Sequence, residues 1–156
     1  MSGGGYAATA CGDAVVIRAA FENPPDRVIR SILSHPLRVA VVGCSPNPDR
    51  DSHRIALLLR QKGHTVIPVN PAAAEMLGAK CYPSLVEVPS PIDMVDIFRR
   101  STEVAAIVED AIRIKARIVW MQLGVIDEVA AGQARDAGLT VVMDRCPAIE
   151  YQRLFA

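Results

Sequence analysis

Aromatic residues are scarce in this chain: three Phe, three Tyr and one Trp in 156 residues. Its positive mean hydropathy, +0.23, comes from Val, Ile, Leu and Ala instead, so any core is aliphatic. Charge of one sign is not in excess either. Seventeen Lys and Arg balance seventeen Asp and Glu. No overall field therefore draws the chain to nucleic acid or to an anionic membrane, and an anion must be caught locally. No apolar run approaches the roughly 18 residues of a membrane span. The opening "MSGGGYAATACGDA" lacks the charged and apolar regions of a signal peptide, which predicts a cytoplasmic protein. The four cysteines, Cys11, Cys44, Cys81 and Cys146, form no C-x-x-C pair. Neither a zinc site nor a disulfide framework is indicated, and reduced thiols are the expectation.

What is present fits one domain. The length suffices for a well-buried core and is too short for two ordinary domains. Residues 1–25 are Gly- and Ala-rich without sustained period, end in "ENPPD" and read as a flexible leader; residues 26–156 read as the folded domain. Asp26 is placed to cap a helix from Asp26 to Ser34, with Val28, Ile29, Ile32 and Leu33 at helical spacing.

From there strand and helix alternate. "LRVAVVG" is a β-branched run of the kind buried on both faces of a parallel sheet. Ser52 to Lys62 follows as a helix closed by Gly63. "HTVIPVNP" is a second strand. "AAAEMLGAKCYPSLVEVP" reads as a short helix, an extended piece around Cys81 and Tyr82, and another helical turn. "DMVDIF" is a third strand, followed by a helix capped near Ser101 or Thr102. "RIVWMQ" is a fourth strand, Ile126 to Ala137 a helix, "LTVVMD" a fifth strand, and a last helix follows Pro147. The prediction is α/β: a doubly wound, Rossmann-like parallel sheet of about five strands in a single domain.

Ligands of such sheets lie outside the carboxyl ends of the strands, at the point where strand order reverses. The turns after Val42, Val69, Phe98, Met121 and Met143 are therefore the candidate site. The first, "GCSPNPDRDS", feeds a helix N-terminus, where open N–H groups and the helix dipole favour an anion. Gly43 permits close approach, Ser45 offers a hydroxyl, and Arg50 and Arg54 add charge. The dinucleotide fingerprint G-x-G-x-x-G is absent, and the second strand ends in Asn70 where an acid would bind an unsubstituted ribose. A phosphorylated ribose fits better, as in NADP or coenzyme A. The chain has no second half to hold a substrate over a nicotinamide, and no residue pair stands out as acid and base for hydride transfer.

The runs "VAVVGCSPNPDRDSHRI", "VIPVNP" with "LGAKCYPSLVEVP", "DMVDIFRRS", "WMQLGV" and "VVMDRCPAIEYQRL" occur in the order of a known family. The chain resembles the small bacterial and archaeal CoA-binding proteins, stand-alone relatives of the CoA-binding domain of succinyl-CoA synthetase α-subunits. The likeness covers residue 26 to the C-terminus. It implies a Rossmann-like fold that binds coenzyme A or an acyl-CoA, without an assigned reaction. It places phosphate on Gly43, Cys44 and Ser45, with Arg50 and the helix start at Ser52 nearby. Val69, Asn70 and Pro71 go to the adenosine end. Phe98, Arg99, Gln122, Leu123 and Gly124 line the rest of the cleft. Two departures stand out. Many relatives have a lysine soon after the "NP" turn, where this chain has Ala72, Ala73 and Ala74, leaving Arg50, Arg54 or Lys80 to substitute. The synthetases' phosphorylated histidine lies in a second domain, and nothing here transfers its role to His35, His53 or His64.

Plainer readings stand beside these. Arg50 and Arg54 read equally as solvated helix-start residues, and Phe98 as part of the core. Trp120, inside a strand, reads as core. Cys44 and Cys146 sit at strand-end turns, where a thiol near a helix N-terminus gains reactivity; small buried residues are the plainer reading. His53 reads as a surface helix residue, and Asp144 with Arg145 as an ion pair or a ligand contact. Ile149, Tyr151 and Leu154 pack the last helix either on the sheet or against another subunit, so a homodimer stays open. Beside the binding protein stand two alternatives: a small NADP-dependent enzyme, or an acyl- or thiol-transfer enzyme using Cys44 or Cys146, and a CoA-sensing regulatory subunit.

Overall fold

The computed structural model describes residues 20–156. The first nineteen positions, which include Cys11 and most of the expected leader, lie outside the described residues. Of the leader, Asn23 is tied to the domain: its carboxamide donates to Met143 O (3.0 Å) and accepts from Met143 N (2.7 Å).

Five β-branched runs form one parallel sheet, because each can be covered on both faces. In chain order the elements are α1 (Asp26–Ser34), β1 (Arg38–Val42), α2 (Asp51–Gln61), β2 (Thr65–Val69), β3 (Glu75–Met76), β4 (Ala79–Lys80), β5 (Met94–Ile97), α3 (Val104–Arg113), β6 (Ile118–Met121), α4 (Glu128–Asp136), β7 (Thr140–Val142) and α5 (Pro147–Phe155). Short 3₁₀ turns cover Leu85–Glu87 and Ser101–Glu103. The sheet order is β2-β1-β5-β6-β7, with β1 parallel to both neighbours. This doubly wound order reverses between β1 and β5, which fixes the switch point there.

Side-chain alternation splits the core. Val42, Val95, Ile97, Val119 and Met121 face α3 and α4, whose inner stripes are Val104, Val108 and Ala111, and Ala130, Ala131 and Ala134. Val39, Val41, Met94 and Trp120 face α1, α2 and α5 through Ile29, Leu33, Ile55, Leu59, Tyr151 and Leu154. Trp120 is core, as the strand pattern indicates, and its indole N–H finds an acceptor at Arg145 O (2.9 Å).

A buried polar relay ties α5 to the other helices of its face. Leu37 N–H donates to His64 Nδ1 (3.1 Å), so the ring proton sits on Nε2, which donates to Tyr151 Oη (2.8 Å); that hydroxyl donates to Leu33 O (3.1 Å). Burial holds the His64 pKa below its usual 6.5 and raises that of Tyr151 to about 12, so both are neutral near pH 7.

Three local expectations are corrected. The segment after Ala74 is no helix: Glu75–Met76 and Ala79–Lys80 pair antiparallel across Leu77 (φ 56°) and Gly78 (φ 69°), a two-residue hairpin with both central residues left-handed. Asp26 does not cap α1, which follows Pro25; it lies in the first turn and takes both Arg153 guanidinium nitrogens Nη1 and Nη2 at 2.8 Å. Neither Ser101 nor Thr102 caps α3, whose N-cap is Glu103, because residues 101–103 form the preceding 3₁₀ turn; Ser101 Oγ accepts instead from Ile126 N (3.0 Å).

Candidate functional site

The turn after β1 crosses the switch point under tight constraint. Gly43 has φ 87°, and a Cβ there would lie 2.4 Å from Phe98 O and 2.8 Å from the Arg99 side chain. Only glycine lets the β1 and β5 turns approach so closely. Gly43 N–H donates to Val69 O (2.9 Å), which joins the β2 end to the same point.

Beyond Gly43 the loop is held by its own polar groups. Ser45 N–H donates to the buried Ser52 Oγ (3.0 Å), Asn47 N–H to Ser45 Oγ (3.1 Å), and Asp49 N–H to Asn47 Oδ1 (2.9 Å). His53 is half-buried, not a free surface residue, and its Nδ1 donates to Ser45 O (2.9 Å). Asn70 spans two turns: its Nδ2 donates to Cys44 O (2.8 Å) while its Oδ1 accepts from Ala72 N (2.8 Å). The N-cap residue of α2, Arg50, makes no side-chain capping hydrogen bond, so the first-turn N–H groups have no cap, and Asp51 and Ser52 of that turn line a polar cleft.

Three clefts meet at this point. A polar one of about 360 Å³ is lined by Gly43, Ser45, Arg50, Asp51, Ser52, Asn70 and Phe98. A second, about 430 Å³, lies toward β2 and α3 and includes Gly43, Val69, Pro71, Ser84, Arg99 and Ile107. The third and largest, about 860 Å³, is walled by Ile55, Leu58, Phe98, Leu123, Val125 and Ala148, with Gln122 and Cys146 also on its lining. Gly43 borders the first two, Phe98 the first and third, and Arg99 the second and third.

Cations in these clefts differ in availability. Arg54 is tied to Asp51 and to Asp49 O (2.8 Å). Arg99 reaches Glu103 Oε1 with Nη2 (2.6 Å) and Nε (3.0 Å), an arrangement that holds the Glu103 carboxyl below its usual range. Asp110, the other carboxylate of the second cleft, is paired with Arg113 (3.1 Å). Lys80 lies outside these linings, with Nζ 5.0 Å from the centre of the Tyr82 ring. Among the described residues, Arg50 is the lining cation with no ion-pair partner.

The structure thus brings Gly43, Ser45, Arg50, Ser52, Asn70 and Phe98 to one cleft, Val69 and Pro71 to the next, and Gln122 and Leu123 to the third, with Arg99 between the last two. Two expected site residues stand apart. Cys44 is 0% exposed and offers the loop only its backbone; burial pushes its thiol up to about 12, against the reactive thiol that its place at a turn had left open. Gly124 lines none of the three clefts, and its N–H donates to Asp144 Oδ1 (2.7 Å). Asp144 and Arg145 do not pair with each other, since Arg145 meets Glu150 (3.2 Å).

Among the described residues, two buried side chains carry polar atoms without a partner. Both oxygens of Asp96 and Oε1 of Gln122 have none. Asp96 is fully buried in β5, in register with Val41 and Trp120, and burial raises its pKa to about 8. Reading the sequence did not single out Asp96, because an acid within an apolar run looks like an ordinary strand residue. The apolar walls Ile55 and Leu58 were legible only as the inner stripe of α2. Among the described residues no cluster of His, Cys, Asp or Glu could hold a metal ion, and no helix is long and apolar enough to cross a membrane.

An open parallel sheet with a glycine-pivoted polar turn at its switch point defines the class: a doubly wound α/β domain with its cleft above the strand ends. The chain belongs, within that class, to the CoA binding domain family, whose model matches residues 37–152. It is 40% identical over 125 residues to the uncharacterized protein YneT of Bacillus subtilis (strain 168), covering 80% of this chain and 93% of that protein. It is also 40% identical over 65 residues to the ADP-forming acetate–CoA ligase I of Archaeoglobus fulgidus; the match covers 42% of this chain and 10% of the ligase. In structure it is similar to a hypothetical protein from Pyrococcus horikoshii OT3, with TM-score 0.83 and 37% identity over 90% of this chain and 99% of the other.

Proposed function

We propose that this protein binds coenzyme A, free or acylated, with the diphosphate in the polar cleft between Gly43 and Ser52. The observation that carries the reading is Arg50, a cation without a partner beside an uncapped helix start in a cleft that also holds the Ser45 hydroxyl. Main-chain donors, one hydroxyl and a free guanidinium are what a diphosphate needs. The adenosine end extends toward Val69 and Pro71, where the carboxylates of Glu103 and Asp110 are already neutralised by arginines. The pantetheine arm passes Phe98 into the large cleft.

Binding to the folded state alone raises the melting temperature by mass action. Thermal unfolding with millimolar coenzyme A gives an upward shift, larger than with NADP. The double variant Ser45→Ala, Arg50→Ala stays folded, with its unliganded melting temperature lowered only by the lost Asn47 N–H to Ser45 Oγ bond, and loses the shift. No shift with coenzyme A or acetyl-CoA, or an undiminished shift in the double variant, overturns the reading.

A further inference from the structure

The largest cleft is more apolar than the pantetheine arm of coenzyme A requires, since that arm carries amides and a hydroxyl. Its walls converge from four segments: Ile55 and Leu58 on α2, Phe98 after β5, Leu123 and Val125 after β6, and Ala148 on α5. Leu58, Phe98 and Ala148 are only half-buried and Leu123 is 57% exposed, so hydrocarbon faces this cavity from several sides. The charges at its rim are matched within the chain: Arg54 meets Asp51, and Glu103 takes Arg99 (2.6 Å) and Arg100 (3.5 Å). Its volume, about 860 Å³ against about 360 Å³ for the phosphate cleft, is that of a small-molecule site. Phe98 and Asp51 line both cavities, so a ligand that leaves the phosphate cleft past Phe98 enters the apolar one.

We propose that this cleft is an acyl-chain site, and that the protein selects coenzyme A thioesters whose acyl group is a hydrocarbon chain longer than acetyl. This rests on the coenzyme A reading for the phosphate end and adds to it what the sulfur carries. A hydrocarbon chain covers the half-buried walls and gains with each methylene removed from water. An acyl group that ends in a carboxylate gains less, because its charge would lose water beside apolar walls where each rim guanidinium already has a carboxylate partner. Leu123 and Ala148 set the specificity. Leu123 supplies exposed apolar surface from a turn, and Ala148 is small enough to leave room at the start of α5.

The test is calorimetric titration of the full chain with coenzyme A and with its acetyl, butyryl, hexanoyl and succinyl thioesters. A fully buried methylene tightens binding about fourfold, so hexanoyl-CoA, four methylenes longer than acetyl-CoA, is expected to bind at least about tenfold tighter even with partial burial. Butyryl-CoA binds tighter than succinyl-CoA. Leu123→Asp changes an exposed turn residue and leaves the chain folded, and it reduces the hexanoyl-to-acetyl affinity ratio to below about threefold. Ala148→Phe lowers the same ratio by filling the cavity, whatever it does to the affinity for coenzyme A itself. Equal affinities along the series, succinyl-CoA as tight as butyryl-CoA, or a ratio that both variants leave unchanged overturns the proposal. The two failures are distinct: coenzyme A bound with a flat chain-length series removes only the acyl site, whereas no binding of any of the five at millimolar concentration removes the coenzyme A reading as well.

Discussion

Replacing Asp96 with asparagine tests whether an acid is stored uncharged at the centre of the sheet. The side chain is fully buried, its oxygens have no partner, and burial raises the pKa from 3.8 to about 8. Below about pH 4 the carboxyl is protonated in both folded and unfolded chains, and its titration costs nothing. Between 3.8 and 8 the unfolded chain ionises while the folded one does not, so stability falls as pH rises and levels off above 8. Each pH unit is worth about 1.4 kcal/mol, so the interval of about 4 units sets a ceiling of roughly 6 kcal/mol, and the step from pH 5 to pH 8 about 4 kcal/mol. Asparagine keeps the shape and removes the ionisation. Urea unfolding at pH 5 and pH 8 should show the native chain losing up to about 4 kcal/mol relative to Asp96→Asn. His64 titrates in both proteins, so its effect cancels in the difference. Parallel profiles, or a native chain that gains on the variant as pH rises, would refute the argument and mean that the carboxylate is ionised in the fold.

Two substitutions probe the framework. Gly43→Ala sets a Cβ 2.4 Å from Phe98 O on a backbone at φ 87°, and should cost about 2–4 kcal/mol in urea unfolding together with the coenzyme A shift; a loss below about 0.5 kcal/mol would show that the turns part easily. Tyr151→Phe leaves His64 Nε2–H without its acceptor and should cost about 1–3 kcal/mol at pH 7. Because burial holds the folded His64 pKa below 6.5, the stability linked to its neutral form is complete above about pH 6.5 and is lost as pH falls. A Tyr151→Phe chain as stable as the native one at pH 7 would show the relay to be dispensable.

The parallel sheet was legible because its strands are aliphatic runs with few alternatives, and α1 begins and ends where its periodicity and flanking prolines place it. The hairpin after Ala74 was not. Its alanines, glutamate and methionine favour a helix, and Leu77 is a poor candidate for a left-handed turn. Tertiary contacts decide it: Met76 is buried, Arg60 Nη2 donates to Leu77 O (2.6 Å), and Tyr82 bridges to Val69. At the site, the order of the turns indicated which residues gather, since strand ends at a switch point converge. Which arginine stays unpaired was not legible, because Asp51 and Glu103 claim Arg54 and Arg99 only through side-chain geometry. Nor could composition tell a thiol facing a cleft, Cys146, from one sealed beneath it, Cys44.

Asn70 would set the timing of the proposed ligand seat. One carboxamide staples the loop after β1 to the loop after β2, so on the proposed coenzyme A reading neither would have to be gathered in when the ligand arrives. A stapled pair of loops would leave less conformational entropy to surrender on association, and capture would then depend more on diffusion and orientation. Residence time, rather than speed of entry, becomes the property that substitutions around this seat would tune.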